Sequence, residues 1–269
     1  MLEFWVLGIA FDVGKLSVSK PTHIQLKVVD SMVKLAEQED LDMIVNVGDN
    51  WFMVAGNHDH LGNVEAQIAY TDRSNKTFPS LYYKTSYSFG PKGTRVEFVF
   101  IDTVVLCGNS NNVKSRSIFS WIGVKTRIPE RPAAKYVNES KKQWKWIEEQ
   151  LRTSTADHLF VVGHYPIHSV VTKTLQCLKR ELDPLMRKYK VGAYFAGHNH
   201  NLQVRLFSQI QLLVLVLSFP KLLESPIASE LGVGEGGFVY LRIEPKNARL
   251  RFYARDLQME HEDLIPSRQ

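Results

Sequence analysis

Short apolar runs rich in β-branched residues recur along the chain, separated by longer stretches whose apolar positions return every three or four residues. The short runs predict strands at 4–10, 43–47, 52–55, 96–101, 159–162, 193–196, 212–217, 238–243 and 250–254. The last two, joined by Glu244-Pro245-Lys246-Asn247, read as a hairpin. The longer period predicts helices over 24–39, 140–152 and 179–189, and in the first Ile24, Val28, Met32 and Leu35 share one apolar face. Strands alternating with helices imply an α/β architecture, read as one domain over residues 1–269 without internal repeats. The polar stretch 108–136 is long for a connection without structure of its own, a length that marks functional or disordered segments. The densest apolar run, LLVLVL at 212–217, falls far short of the ~18 residues of a spanning helix, so no membrane span is expected.

Composition narrows this only a little. A chain of 269 residues, 44% hydrophobic and 23% charged, has the balance of a globular protein and the length for a full core. Its net charge of +5 comes from scattered Lys and Arg without a basic run, which argues against a nucleic-acid partner. A positive field suits a phosphorylated substrate, although a solvated basic surface is the simpler reading. Two cysteines, Cys107 and Cys177, allow one bridge in an oxidising compartment. There the triplets at Asn75 and Asn138 would be glycosylation acceptors, though such triplets also arise by chance. The start, MLEFWVLGIAF, lacks a basic leader and a small-residue cleavage site; it reads as a first core strand, not a signal peptide.

Candidate chemistry sits directly after apolar runs. Gly48-Asp49-Asn50, Gly56-Asn57-His58-Asp59-His60, Gly163-His164-Tyr165-Pro166 and Gly197-His198-Asn199-His200 each open on a glycine, which lets the backbone turn sharply off a strand. Ligands of open α/β sheets gather at the carboxyl ends of strands. A carboxylate (Asp49), an amide oxygen (Asn57) and three imidazoles (His164, His198, His200) suit a transition-metal pair. Each residue alone has a plainer explanation: a histidine after a strand is most often just packed, Asp49 could cap a helix, and Asn57 could make a side-chain turn. The four motifs together point to one site.

The runs GNHDHLGNVEAQIAY, IDTVVLCGNS, PERP, VVGHYPIHS and AGHNHNLQ resemble the small mammalian-type purple acid phosphatases, the tartrate-resistant acid phosphatase type 5 group of the calcineurin-like metallophosphoesterases. The resemblance covers most of the chain, most closely 43–203. It implies a four-layer α/β sandwich of two β-sheets flanked by helices, here expected to be incomplete. It implies hydrolysis of phosphate monoesters at acidic pH by a binuclear centre of ferric iron with divalent iron or zinc. By motif, Asp49 would bridge the metals, His200 would hold the ferric ion, and Asn57, His164 and His198 the divalent one, with His58 protonating the leaving group. The resemblance also implies a Cys107–Cys177 disulfide, an exposed repressing loop within 108–136, a monomer acting on small phosphomonoesters or phosphoproteins, and a lysosomal or secreted location.

Departures from the family pattern are equally specific. Where the family has a first-strand GD-x-G aspartate this chain reads Gly8-Ile9, and Asp12-Val13-Gly14 follows three residues late, so Asp12 is a candidate ligand only if a bulge re-aims it. The tyrosine that colours the family purple is absent: Asn50 leads directly into Trp51-Phe52, and Phe52 has no oxygen to offer. Five of the seven expected protein ligands remain, and the losses fall on the ferric side, which needs anionic oxygen donors. Thr172-Lys173-Thr174 replaces a substrate histidine, with His168 nearby but out of place, and LSFPKLLESP stands where a glycine-rich turn belongs. Parallel neighbours need a crossover of a dozen residues or more. Residues 50–56 are too few for one, so the runs 43–47 and 52–55 are expected to be displaced or joined more tightly than in the family. A catalytically impaired chain is the alternative to an active phosphatase.

Overall fold

The computed structural model describes residues 2–7, 23–36, 38, 43–46, 52–71, 78–108, 131–167, 176–198, 203–207, 210–214 and 237–268. Their strands form two six-stranded sheets. The first runs in the order β12 (Met259–Pro266), β11 (Asn247–Ala254), β10 (Gly237–Ile243), β1 (Leu2–Leu7), β2 (Met43–Asn46) and β3 (Phe52–Met53). The second runs β4 (Tyr83–Phe89), β5 (Thr94–Phe100), β6 (His158–Gly163), β7 (Ala193–Ala196), β9 (Ile210–Val214) and β8 (Gln203–Phe207). Strands β5, β6, β7 and β9 are mutually parallel.

Period-two alternation sends the side chains of each central strand into two different cores. Phe98, Phe100, Phe160 and Phe195 pack between the sheets with Val239, Leu241, Leu250 and Phe252. Their neighbours Val99, Leu159, Val161 and Tyr194 face the other way, onto α3 (Thr103–Cys107), α4 (Val137–Thr153) and α5 (Gln176–Lys188), where Leu106, Ile147, Leu151, Leu178, Leu182 and Met186 meet them. With both faces buried, these strands read as continuous apolar runs. Helix α1 (His23–Ala36) packs on β10 of the first sheet and buries Met32 and Leu35, and the Ser31 hydroxyl donates to the Arg255 carbonyl. The layers are therefore helix, sheet, sheet, helices, the anticipated four-layer α/β sandwich. A fifth helix, α2 (Val64–Tyr70), follows β3 and is N-capped by Asn63.

Three strands escape the hydrophobic pattern for identifiable reasons. β4 (YKTSYSF) is only half-buried; a turn with positive φ at Gly90 and Gly93 pairs it with β5. β12 (MEHEDLIP) carries four charged or titratable residues and is held as an edge by Arg251 and Arg249, which donate to the two Glu262 oxygens at 2.8 and 2.6 Å. β8 is held by its antiparallel pairing with β9.

The runs 43–47 and 52–55 do sit side by side: β2 pairs in parallel with β3, Val45 opposite Phe52 and Asn46 opposite Met53. The crossover rule applies to strands that overlap along their length, and here the overlap is two residue pairs. From Asn46 the chain has only to cross one strand spacing of about 4.8 Å and step back one residue. Residues 47–51 can cover that at about 3.3–3.6 Å each. The join is thus the tighter of the two expected forms, and β3 is shorter than the run 52–55.

His158 opens β6 and is 2% exposed, its Nε2–H donating to the Glu244 carbonyl at 2.8 Å. Burial holds this imidazole below the ordinary histidine pKa of 6.5. The unfolded chain therefore takes up a proton at a pH where the native ring does not, and stability falls as the pH drops below 6.5 until the native ring protonates too. Between about pH 7 and about pH 5 the urea midpoint of the parent chain is expected to fall more steeply than that of His158→Gln.

Candidate metal centre

Three strands deliver side chains to one place. Asn57 lies four residues beyond β3 of the first sheet. His164 directly follows β6, and His198 lies two residues beyond β7, both in the second sheet. Gly163 and Ala196 are register partners, and the Gly197 N–H donates to the His164 carbonyl at 3.0 Å, carrying the ladder one step past the strands. The chain then takes a left-handed turn at His198, φ 73°. Such a conformation costs a non-glycine residue on the order of 1–3 kcal/mol and persists only where the surroundings enforce it.

Tyr165 supplies part of that enforcement. Its N–H donates to Thr103 Oγ1 at 3.0 Å, and its carbonyl accepts from the Tyr194 hydroxyl at 2.7 Å. Full burial pushes the Tyr194 hydroxyl far above its usual pKa, so it stays a proton donor. The Tyr165 ring stands edge-on to the His198 ring, centroids 4.8 Å apart. Gly163 is required here, because a Cβ at this position would lie 2.4 Å from the Tyr194 hydroxyl. On the facing loop the Gly56 N–H donates to Asp59 Oδ2 at 2.7 Å, while Gln67 of α2 donates to Asp59 Oδ1 at 3.1 Å. Gly56 lies flat against the His164 ring, where a Cβ would come within 2.8 Å of Cε1.

The result is a triangle of donor atoms. Asn57 Oδ1 is 2.7 Å from His164 Nε2 and 3.1 Å from His198 Nδ1, and the two nitrogens are 3.3 Å apart. Ligand atoms about 2.1 Å from a common cation stand roughly 3.0 Å apart at right angles and roughly 3.4 Å apart in a tetrahedron. The triangle fits one face of either polyhedron. Two imidazoles and an amide oxygen suit a divalent first-row ion better than ferric iron. Among the described residues no group of three His, Cys, Asp or Glu side chains gathers for a metal, so this part of the site depends on the amide.

Of the remaining candidates, His58 is exposed, one residue after the almost wholly buried Asn57. Cys107 at the end of α3 and Cys177 in the first turn of α5 form a disulfide with Cα atoms 5.8 Å apart. Asn138 is exposed in the first turn of α4. Phe52 is packed rather than poised to ligate, its ring stacked on Phe100 with centroids 6.0 Å apart. Asp12, Asp49, Asn75, His168, Thr172 to Thr174, His200 and the segments 109–130 and 217–226 lie outside the described residues. Sequence reasoning passed over Asp59, His60, Asp102, Tyr165 and Tyr194, which shape the site. Asp59 and His60 were visible inside GNHDH and Asp102 inside IDT, but nothing in those runs said what they would touch.

Residues 22–202 match the family model described as calcineurin-like phosphoesterase. Over 155 residues the chain is 40% identical to tartrate-resistant acid phosphatase type 5 of Homo sapiens, a match covering 57% of this chain and 44% of that protein. The chain thus spans less than half the length of the mammalian relatives it matches. Purple acid phosphatase 3 of Arabidopsis thaliana is 25% identical over 234 residues, 75% of this chain and 58% of that one. Among solved structures, GAP50, titled the anchor in the inner membrane complex of Plasmodium, superposes with a TM-score of 0.77 at 21% identity, covering 100% of this chain and 89% of that one. That last likeness is one of fold.

Gly56→Ala tests the contact that seats His164. The added methyl must displace the ring or the loop, with an expected loss of about 1–3 kcal/mol in urea unfolding. A shift of the His164 ring signals in NMR should accompany it.

Proposed function

The chain belongs to the calcineurin-like phosphoesterase family, and on that footing we propose that it is an acid phosphatase that hydrolyses phosphate monoesters at a binuclear metal centre. The observation that carries this reading is the convergence of Asn57 Oδ1, His164 Nε2 and His198 Nδ1 within 3.3 Å of one another. These three would hold the divalent ion, iron or zinc. Asp49 would bridge to a ferric ion held by His200, with Asp12 as a further candidate. When bound, such a pair neutralises phosphoryl oxygens and makes hydroxide available at low pH. The chain's own part is to hold the ester in line and to move a proton. His58, exposed beside Asn57, is the group proposed to protonate the leaving alkoxide. The substrates are small phosphomonoesters or phosphoproteins. The protein is proposed to act as a one-domain monomer, glycosylated at Asn75 and Asn138, in lysosomes or outside the cell. No helix among the described residues is long and apolar enough to cross a membrane.

A second reading, a metallophosphatase-like protein with impaired catalysis, is favoured by two observations. Phe52 is locked in aromatic packing and cannot replace the missing phenolate, and only residues 47–51 join β2 to β3. Elemental analysis of the purified chain, with hydrolysis of an aryl phosphate at about pH 5, separates the readings. Two metals per chain and measurable turnover are expected. His164→Ala should lower kcat/KM by more than the roughly 100-fold that changes around a metal ligand cost. One metal or none, with no turnover above background, would establish the impaired reading instead.

A further inference from the structure

A second polar cluster lies behind the Asn57 loop. His60 Nε2 is 2.7 Å from Asp102 Oδ2, and the two side chains are 2% and 0% exposed. Asp102 Oδ1 accepts the N–H groups of Val104 and Val105 at 2.9 Å each, capping α3. The Asp102 backbone N–H donates to Gln143 Oε1 at 2.8 Å, and its carbonyl accepts from Gln143 Nε2 at 3.2 Å, so α4 holds this residue from both sides. On its other edge His60 Nδ1 is 3.2 Å from the Tyr136 hydroxyl, with the two rings edge to face. A carboxylate only accepts, so the proton in the His60–Asp102 contact sits on His60 Nε2. Ring position and ring tilt are both specified.

Neither His60 nor Asp102 reaches solvent, which rules out contact with a substrate. Filling space is not the purpose either, since an apolar side chain of similar size would avoid the desolvation that buried polar groups cost. What the cluster adds is orientation. His60 sits in the 3-10 turn Asp59–Leu61, and its backbone N–H reaches back to the Gly56 carbonyl at 3.4 Å, closing a loop around Asn57 and His58. Asp59 staples one end of that loop through Gly56, and the His60 ring pins the other.

We propose that His60, oriented by Asp102 and Tyr136, is a positioning residue that sets the Asn57 amide oxygen against His164 and His198. Its consequence for metal binding rests on the metal-centre reading above; its geometric content does not. The test uses the full chain, metal-free and titrated with Co²⁺, with Tyr136→Phe as the mildest variant and His60→Gln as the stronger one. Removing the Tyr136 hydroxyl is expected to weaken Co²⁺ binding by about tenfold while leaving the thermal midpoint nearly unchanged. In an Asn57→Ala background the same change should cost less than about twofold, because the ligand it positions is gone. In the metal-free chain Tyr136→Phe should also shift the imidazole ¹⁵N signals of His164 and His198.

Unchanged Co²⁺ affinity with unmoved imidazole signals overturns the proposal, and so does an undiminished loss in the Asn57→Ala background. If the parent chain takes up no Co²⁺, the metal-centre reading falls, and the metal-free NMR signals alone decide: movement supports positioning, and no movement overturns it. If His60→Gln fails to fold, Tyr136→Phe decides the matter by itself.

Discussion

The face-to-face packing of the two sheets is the constraint on which the site depends, because its donors come from both. Asn57 leaves the first sheet and His164 and His198 leave the second, yet Asn57 Oδ1, His164 Nε2 and His198 Nδ1 lie within 3.3 Å of one another. A shift of one sheet over the other by a single residue, about 3.3 Å, would undo this. Phe98, Phe100, Phe160 and Phe195 oppose such sliding against the apolar face of β10 and β11. Each fully buried phenylalanine is worth about 1.5–3 kcal/mol. At the seam nearest the site Tyr83 stacks on Phe100 with centroids 4.5 Å apart, and its hydroxyl donates to the Met53 carbonyl at 2.9 Å. One side chain from the second sheet thus holds the short strand that leads to Asn57.

Close contact at the site is obtained from missing atoms as much as from bonds. Gly56 and Gly163 are places where a methyl would strike His164 or Tyr194, so two of the family-like glycines serve approach rather than unusual backbone angles. His198 presents the opposite case, a bulky residue in a left-handed conformation. The Tyr165 platform and the hydrogen bond from Gly197 to the His164 carbonyl hold it there. Strain at His198 and rigidity beneath it are two sides of the same arrangement.

Behind the loop, burial turns polar groups into fixtures. Asp102 satisfies two helix N–H groups and one imidazole, and Gln143 satisfies the Asp102 backbone. The disulfide at the far end of α3 ties that helix to α5, so the support of the Asn57 loop continues into the helical layer of the second core.

Much of this was legible in the chain itself. Apolar runs located β6, β7 and β10 because those strands are buried on both faces, the alternation Leu250, Phe252, Ala254 located β11, and helical spacing located α1, α4 and α5. The Gly-led motifs singled out Asn57, His164 and His198 because metal donors after strand ends form a local pattern. The half-exposed β4 and the charged edge β12 were not legible, since what makes them strands is a neighbour, not a period. Which of the two expected forms the join of β2 to β3 takes was open for the same reason: the length of a link is local, but the overlap it must serve is not. Local chemistry and periodicity determined which residues are candidates for the site and which face of each strand is buried. Only the tertiary structure decided that an amide from one sheet would meet two imidazoles from the other, and that His60 would pair with Asp102, 42 residues away. Those contacts depend on sheet packing and register, which no short stretch of sequence encodes.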